Sequence, residues 1–340
     1  MRWWLSVAVL ALACGGDDDG DPVVGSDTSV DPTTITGEPD DGDRPTTDTG
    51  APTTTSAPTT TDPDTADTTT GDDCMAPDPD APWIDAYQAD LVARLSGAAE
   101  LTPGVTLTDR ATAMRREQTR QFIAAELDAL GLTSMLHPYG DADGANVWVG
   151  IAATEPTTET IVFGAHFDTV PGSPGANDNA TGVALSLSLA RWLVDVPCRA
   201  RNVIIVAFDQ EEIGLLGSAA FAQLLVTQPF DVLAVHTIDQ MGWDADGDRA
   251  IELERPDPGL ARQYEAVATV PLTVTQTGAT DHVSFRALGF DAVGLTEEFV
   301  SGDTTPHYHL PSDTFETVDL AYMRSSTVLV HATFADLVAP

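Results

Sequence analysis

Basic residues are scarce in this sequence. Fifteen lysine and arginine residues stand against 53 aspartate and glutamate residues, giving a formal net charge of −38 over 340 residues. A nucleic-acid partner requires basic side chains that neutralise phosphates, so this balance argues against one. Cysteines number only three. No segment has the run of about 18 apolar residues that indicates a transmembrane helix, so none is predicted.

The first 14 residues have the pattern of a signal peptide. Arg2 supplies a positive charge, and the apolar run over residues 3–13 is too short to span a bilayer. The segment ALAC, which ends at Cys14, resembles a bacterial lipobox, although Ala11 stands where leucine is usual. We predict that Cys14 is lipidated and anchors the protein outside the cytoplasm, at the outer membrane or cell surface rather than the inner membrane. Ordinary secretion is the alternative.

A low-complexity segment separates this N-terminus from the rest of the chain. Residues 15–80 consist almost entirely of Asp, Thr, Pro, Gly and Ser, and cannot bury enough apolar surface to fold. We predict a disordered acidic stalk over 15–80 and one catalytic domain over 81–340. Cys74 and Cys198 remain as an even pair in an oxidising compartment, which fits one disulfide; two unrelated thiols are the alternative.

From residue 82 onward, helical and strand-like patterns alternate. Helices are predicted over 83–95, from after Thr108-Asp109 to Leu130, and over 177–194, 213–226 and 317–337; strands are predicted over 146–152, 160–163, 202–208, 232–238, 250–253, 272–275 and 292–295. This alternation predicts an α/β fold, a single-domain three-layer α/β/α sandwich with a mixed, mainly parallel sheet. In such sheets ligands bind at the carboxyl ends of the strands.

Five polar segments contain the residues with chemistry, and all but the last lie at a strand end or at the helix start beside it. They are HFD at 166–168, ANDN at 176–179, DQEE at 209–212, DQM at 239–241 and HYHLPSD at 307–313. Carboxylates gathered at one edge repel one another, and a bound pair of divalent cations removes that repulsion. Two histidines and three carboxylates suit zinc, and a shared carboxylate can hold two metals about 3.5–4 Å apart.

In this order the segments resemble those of the co-catalytic zinc exopeptidases, a family that includes the bacterial leucyl aminopeptidases and the glutamate carboxypeptidase II-like enzymes. The resemblance is carried by HFD, GANDNATGVA, EEIGLLGS, IDQMG and HYHLPSDT and covers roughly residues 140–320. It implies two Zn²⁺ per chain. The implied ligands are His166 and Asp239 for one ion, Glu212 and His309 for the other, and Asp178 as the bridge between them.

The same resemblance implies catalytic roles. Glu211 would be the general base that takes a proton from the metal-bridging water. Asp168 would accept a hydrogen bond from His166 and fix its ring. Tyr308 would hydrogen-bond the tetrahedral oxyanion, or else pack as an ordinary aromatic side chain.

Other residues near the motifs have two interpretations each. Asp281 and His282 lie in a segment that walls the pocket in this family, where they contact substrate or support the fold. His307 competes with His309, but YHLPSDT matches the family's Tyr-His-x-x-x-Asp pattern and favours His309. The acidic segment DADGD at 244–248 has calcium-loop spacing, and a turn after a strand is the preferred interpretation.

These features together predict a monomeric metallo-aminopeptidase that removes N-terminal residues from peptides. An acidic pocket rim suits the protonated α-amine of a free N-terminus, and Arg286 is the only basic residue close to a site motif. The alternatives are a glutaminyl cyclase-like acyltransferase with one zinc, an aminoacylase-like amidase, and a non-catalytic binding module displayed at the surface.

Overall fold

The computed structural model describes residues 74–140, 143–300 and 302–340. The predicted signal peptide at 1–14, with Cys14, lies outside these residues, as does most of the stalk predicted at 15–80. The described part of the chain contains no helix with the length and apolar character needed to cross a bilayer.

The described residues form seven α-helices and eight strands in alternation. The helices are α1 (Ile84–Leu95), α2 (Ala113–Ala129), α3 (Gly182–Val194), α4 (Leu216–Thr227), α5 (Pro258–Val267), α6 (His282–Arg286) and α7 (Leu320–Val338). The strands are β1 (Met135–Tyr139), β2 (Gly144–Ile151), β3 (Glu159–His166), β4 (Asn202–Phe208), β5 (Asp231–Asp239), β6 (Ile251–Glu254), β7 (Leu272–Thr275) and β8 (Ala292–Thr296). A π-helical turn at Ala176–Thr181 precedes α3, and a 3-10 turn at Phe315–Thr317 precedes α7.

All eight strands join one mixed sheet in the order β1-β2-β4-β3-β5-β8-β6-β7. The centre of the sheet is parallel, since β4, β3, β5 and β8 all run in the same direction. Antiparallel pairing appears towards both sides, where β2 meets β1 and β4 and where β6 meets β8. The sheet confirms the predicted α/β fold.

The connections place helices on both faces of the sheet. α3 leads from β3 to its neighbour β4, and α4 leads back across β3 to β5. Because both crossovers are right-handed by the usual rule, opposite directions of travel put α3 and α4 on opposite faces. α1 and α7 pack against α3, and α6 packs against α4. The connections diverge at the carboxyl ends of β3 and β5, the position where open α/β sheets bind ligands.

The central strands form the core of the domain. Every residue of β4 is buried, as its continuous apolar sequence predicts for a strand covered on both faces. Phe163 on β3 packs edge to face against Phe334 on α7, with ring centroids 5.5 Å apart. This packing holds the strand ends in fixed positions beside one another.

The described chain begins at Cys74, before the domain start predicted at residue 81. Cys74 forms a disulfide with Cys198, which precedes β4. The Pro79 carbonyl accepts a hydrogen bond of 3.0 Å from His331 on α7, and Asp80 pairs with Arg324 on the same helix at 2.8 Å. Residues 74–80 therefore lie against the domain.

Candidate metal centre

His166 and Asp239 end two neighbouring parallel strands. β3 ends at His166 and β5 at Asp239, so parallel pairing brings the two side chains to the same edge. His166 Nε2 lies 3.3 Å from Asp239 Oδ1, and both residues are buried. Strand order alone thus brings together two residues that are 73 positions apart in sequence.

Asp178 lies in the π-helical turn before α3, where the backbone departs from helical geometry. Asp178 and Asn179 have non-helical backbone angles and are joined by a cis peptide bond. Oδ1 of Asp178 is 3.4 Å from His166 Nε2, and Oδ2 is 3.3 Å from His309 Nε2. One carboxylate therefore faces two histidines with different oxygens.

Glu212 and His309 complete the second side of the cluster. His309 Nε2 lies 3.0 Å from Glu212 Oε2, and the His309 side chain is 36% exposed, which leaves this side of the cluster open to solvent. The competing His307 is turned elsewhere: its Nδ1 lies 3.0 Å from Ser312 Oγ, and its ring packs on Trp243. Of the two histidines in HYHLPSD, only His309 reaches the cluster.

The five predicted ligands form two groups that share Asp178. In each group the candidate ligand atoms all lie within 4.8 Å of one another; the groups are His166, Asp178 and Asp239, and Asp178, Glu212 and His309. Imidazole nitrogens and carboxylate oxygens are zinc ligands. Glu212 Oε1 is buried and has no hydrogen-bond partner among the described residues. The donor set and this unpartnered oxygen both fit a bound divalent cation.

Burial and neighbouring charges shift the pKa values of the clustered carboxylates in different directions. Burial raises the pKa of Glu212 to about 8, and the neighbouring Asp178 adds to the rise. Burial likewise raises the pKa of Asp239. It acts on Asp178 too, but hydrogen bonds from His166 and His309 outweigh it and lower that pKa to about 2. The two histidines therefore do not supply enough positive charge to keep Glu212 and Asp239 at their usual pKa values.

Glu211 and Asp168 lie beside this cluster. Asp168 Oδ1 accepts a hydrogen bond of 2.9 Å from the Glu211 backbone N–H, and Oδ2 accepts one of 3.2 Å from that of Glu212. Asp168 Oδ1 is also 3.5 Å from His166 Nδ1. Burial raises the pKa of Glu211 to about 9, with Asp281, Asp239 and Glu212 contributing in the same direction. Asp168 thus contacts residues on both sides of the centre.

The structure adds two supporting acids to which the sequence analysis gave no role. Asp313 accepts hydrogen bonds from the backbone N–H groups of Asn177, at 2.8 Å, and Asp178, at 3.0 Å. Glu297 accepts from the Asn177 side chain and from the Trp243 backbone N–H. Asp313 belongs to the HYHLPSD segment, so the motif could have indicated it, and Glu297 directly follows β8, so the rule that acids follow strands could have found it.

A buried arginine also supports the turn that carries Asp178. Arg110 is fully buried and donates to the carbonyl oxygens of Phe167, Pro174 and Gly175. Its guanidinium holds the end of β3 and the turn together. No periodicity or motif marks Arg110 in the sequence, because its partners are backbone atoms of distant residues.

A pocket adjoins the cluster, and its wall includes side chains from β6 and β8. It is lined by Asp178, Glu211, Asp239, Gln240, Glu254, Thr277, Ala279, Thr280, Thr296, Phe299, Tyr308 and His309. Tyr308 stacks on His309 with ring centroids 3.7 Å apart. Asp281 and His282, considered as substrate contacts, are buried, and neither is among the lining residues, whereas their neighbour Thr280 is.

The acidic segment at 244–248 forms a turn. Asp244 Oδ1 accepts from the backbone N–H of Gly247, and Asp246 Oδ1 accepts from that of Asp248. Asp303 accepts from the backbone N–H of Asp246 at 3.2 Å. Backbone N–H groups thus donate to these carboxylates, and candidate ligand atoms of Asp244, Asp246 and Asp248 also lie within 4.8 Å of one another. The interpretation of DADGD as a turn rather than a calcium loop stays a prediction.

Comparison with known proteins connects this geometry to one family. A sequence model of peptidase family M28 matches residues 146–334, more than half of the chain. Aminopeptidase YwaD of Bacillus subtilis is 31% identical over 187 residues, which cover 51% of this chain and 40% of that protein. The probable lipoprotein aminopeptidase LpqL of Mycobacterium tuberculosis is 26% identical over 200 residues, 49% of this chain and 40% of that protein. The matched region spans less than half the length of each relative.

Solved structures confirm the fold. BSAP, a zinc aminopeptidase from Bacillus subtilis, superposes with a TM-score of 0.66 at 16% identity, covering 76% of this chain and 96% of that one. At this level of identity the likeness concerns the architecture, the sheet with helices on both faces.

Proposed function

Because the chain belongs to peptidase family M28, we propose that it is a zinc-dependent aminopeptidase with two zinc ions in the cluster described above. The observation that carries the proposal is the position of Asp178. Its two carboxylate oxygens face His166 and His309 separately, at 3.4 and 3.3 Å, as a bridging ligand requires. This geometry supports the framing suggested by the motifs, which likens the chain to the bacterial leucyl aminopeptidases.

In this proposal His166 and Asp239 hold one ion, Glu212 and His309 hold the other, and Asp178 bridges them. When bound, the zinc ions would supply Lewis acidity, lower the pKa of a water towards about 7 and offset the repulsion among the carboxylates. The open side at His309 admits the substrate, while the buried side fixes the ligand orientations.

The residues around the ligands have separate tasks in this mechanism. A carboxylate oxygen of Glu211 accepts a proton from the attacking water and passes it to the leaving amine. Asp168 holds the Glu211 backbone and, 3.5 Å from His166 Nδ1, fixes the ring of that histidine. The Tyr308 hydroxyl donates to the oxyanion of the tetrahedral intermediate. Asp168 is thus a positioning residue.

The charges around the pocket favour an aminopeptidase over a carboxypeptidase. Asp178, Glu211 and Asp239 line it, and no arginine or lysine does so in the described part of the chain. Arg286 pairs with Asp257 at 2.6 Å, so it is engaged elsewhere. An acidic pocket attracts the protonated α-amine of a peptide and repels a terminal carboxylate. Peptides with a free N-terminus are therefore the proposed substrates. The proposed active form is a monomer.

The test is zinc stoichiometry measured together with hydrolysis of aminoacyl 4-nitroanilides by the full-length protein. We expect two zinc ions per chain. Replacing Glu211 with glutamine should retain the zinc and lower kcat by roughly 10²–10⁴-fold, because the general base is lost. The matched control is Glu265→Gln, an exposed residue of α5 that should leave both quantities unchanged. One zinc without hydrolysis would point to a glutaminyl cyclase-like acyltransferase, and no tight metal would leave a binding module.

We further propose that residues 1–14 are a lipoprotein signal peptide, that Cys14 is lipidated, and that the Asp/Thr/Pro-rich segment holds the domain away from the membrane. The ALAC pattern supports this, as does the similarity to LpqL, which is itself described as a probable lipoprotein. Metabolic labelling with an alkynyl fatty acid should label the protein, and Cys14→Ser should lose the label and leave the membrane fraction. An unlabelled wild-type protein would contradict the anchor.

A further inference from the structure

Glu254 is a buried acid of the pocket that the catalytic proposal does not use. It ends β6, is 1% exposed and lines the same pocket as Glu211, Asp239 and His309. In the sheet β8 lies between β5 and β6. At about 4.8 Å per strand, β6 is about 10 Å from the strand that carries Asp239. The backbone of Glu254 therefore lies apart from that of Asp239, while both side chains line one pocket and Asp239 contributes to the raised pKa of Glu254.

Among the described residues Glu254 forms no ion pair with an arginine, although Arg286 and Arg255 lie near enough to His282 to help lower its pKa. Its Oε2 accepts a hydrogen bond of 2.6 Å from Thr280 Oγ1 and lies 3.5 Å from His282 Nδ1. Burial lowers the pKa of His282 to about 4, so its ring is neutral near physiological pH. Burial raises the pKa of Glu254 to about 7 against the hydrogen bond from Thr280. A buried carboxylate without a positive partner is stabilised when a cation binds beside it.

The neighbouring strand leaves room for this carboxylate. Gly294 on β8 pairs with Glu254 in the sheet register. A Cβ at Gly294 would lie 2.6 Å from Glu254 Oε2 and 2.7 Å from His282 Nδ1, so a side chain there would require these groups to shift. Glycine at this position therefore lets the carboxylate keep its place in the pocket wall.

The rest of the wall suits a long side chain with a charged end. Thr277, Thr280 and Thr296 bring hydroxyl groups, while Phe299 and Tyr308 pack edge to face with ring centroids 5.3 Å apart. Lysine and arginine side chains combine an apolar stem, which packs on aromatic rings, with a cationic head. The rings are therefore placed for the stem and Glu254 for the head.

We propose that Glu254 selects peptides whose first residue is arginine or lysine by pairing with the cationic end of that side chain. This inference rests on the aminopeptidase proposed above and specifies its substrate class. The substrate's α-amine is a less suitable partner because it adjoins the scissile carbonyl and must remain beside Glu211 and Asp239. A side chain as long as that of lysine can bridge the separation between the two parts of the pocket.

The test compares each cationic residue with a neutral analogue of similar shape, using 4-nitroanilides of arginine and citrulline and of lysine and norleucine. The full-length protein should prefer the cationic member of each pair in kcat/KM by roughly 10–100-fold. Glu254→Gln should abolish both preferences by slowing only the cationic substrates. The control is Glu252→Gln, which alters a buried acid two residues away on the same strand, outside the lining residues, and should keep both preferences.

Two results would overturn the inference. One is equal hydrolysis of cationic and neutral substrates by the wild-type protein. The other is a Glu254→Gln variant that slows all of them in proportion, which would make Glu254 an amine anchor or a structural residue. If no nitroanilide is hydrolysed, the proposed function fails, and calorimetric titration with L-lysine and L-norleucine tests Glu254 independently. Tighter binding of lysine by wild type but not by Glu254→Gln would sustain the inference, and equal binding would overturn it.

Discussion

Two buried aspartates at the same edge of the sheet have opposite surroundings. Asp209, directly after β4, is fully buried and contacts Arg116 at 2.8 Å and Arg120 at 2.6 Å. The two arginines lie one turn apart on α2, so both reach the same carboxylate. Asp178 is almost as deeply buried, but its ion-pair contacts within the described chain are His166 and His309 alone.

The contrast separates an acid that pairs with arginines of the fold from the acid proposed to bridge the metal ions. At Asp209 the chain supplies two permanent cations whose ion pairs tie α2 to the sheet, although burial still raises the pKa of Asp209 to about 6. Asp178 contacts two histidines instead, and the acids beside it, Glu212 and Asp239, have pKa values that burial raises, so the cluster as a whole favours an added cation. Burial alone would not distinguish the two residues. The identity of the nearest positive group does.

The largest expected effect comes from changing Asp178 to asparagine. If it bridges two ions, zinc content should fall from two ions to one or none, and peptide hydrolysis should fall to background. Zinc at 100 times its Kd should stabilise the wild-type protein by about 2.7 kcal/mol, and this gain should vanish in the variant. Zinc analysis, nitroanilide hydrolysis and thermal unfolding with and without zinc measure the three effects.

The control for Asp178→Asn is Asp291→Asn, which makes the same change of charge at an exposed position just before β8. It should keep both ions and full activity. An Asp178→Asn protein that still bound two zinc ions with undiminished stabilisation would remove the distinction between the two aspartates, because Asp178 would then need no external cation.

The sequence predicts the regular parts of this fold well, because strands buried on both faces have continuous apolar sequences. β4 has its predicted bounds, 202–208. β1 was missed because Pro138 interrupts its pattern, yet β1 is an edge strand, where proline is tolerated. α2 begins at Ala113 rather than after Asp109, because Thr112 caps it and Asp109 pairs with Arg115 instead.

The residues of the site also fall into those that the sequence predicts and those that it does not. The residues proposed as ligands lie in motifs whose order along the chain could be recognised, and the structure brings them together. Arg110 and Glu254 could not be found in this way. Arg110 acts through backbone carbonyls of distant residues, and Glu254 ends a short strand whose neighbours in the sheet come from much later in the chain. Their surroundings are tertiary and leave no local pattern.

A smaller effect, on stability rather than chemistry, is expected at the other aspartate. Asp209→Asn removes the buried partner of Arg116 and Arg120, which keep their more exposed partners Asp143 and Glu117. The lost buried contacts should lower the free energy of unfolding by about 1–3 kcal/mol in urea titrations. Zinc content should stay at two ions. Glu159→Gln, which breaks the part-exposed pair with Arg201, should cost less than about 1 kcal/mol. If Asp209→Asn instead loses zinc at unchanged stability, α2 serves the metal centre, and the compensated acid is functional as well.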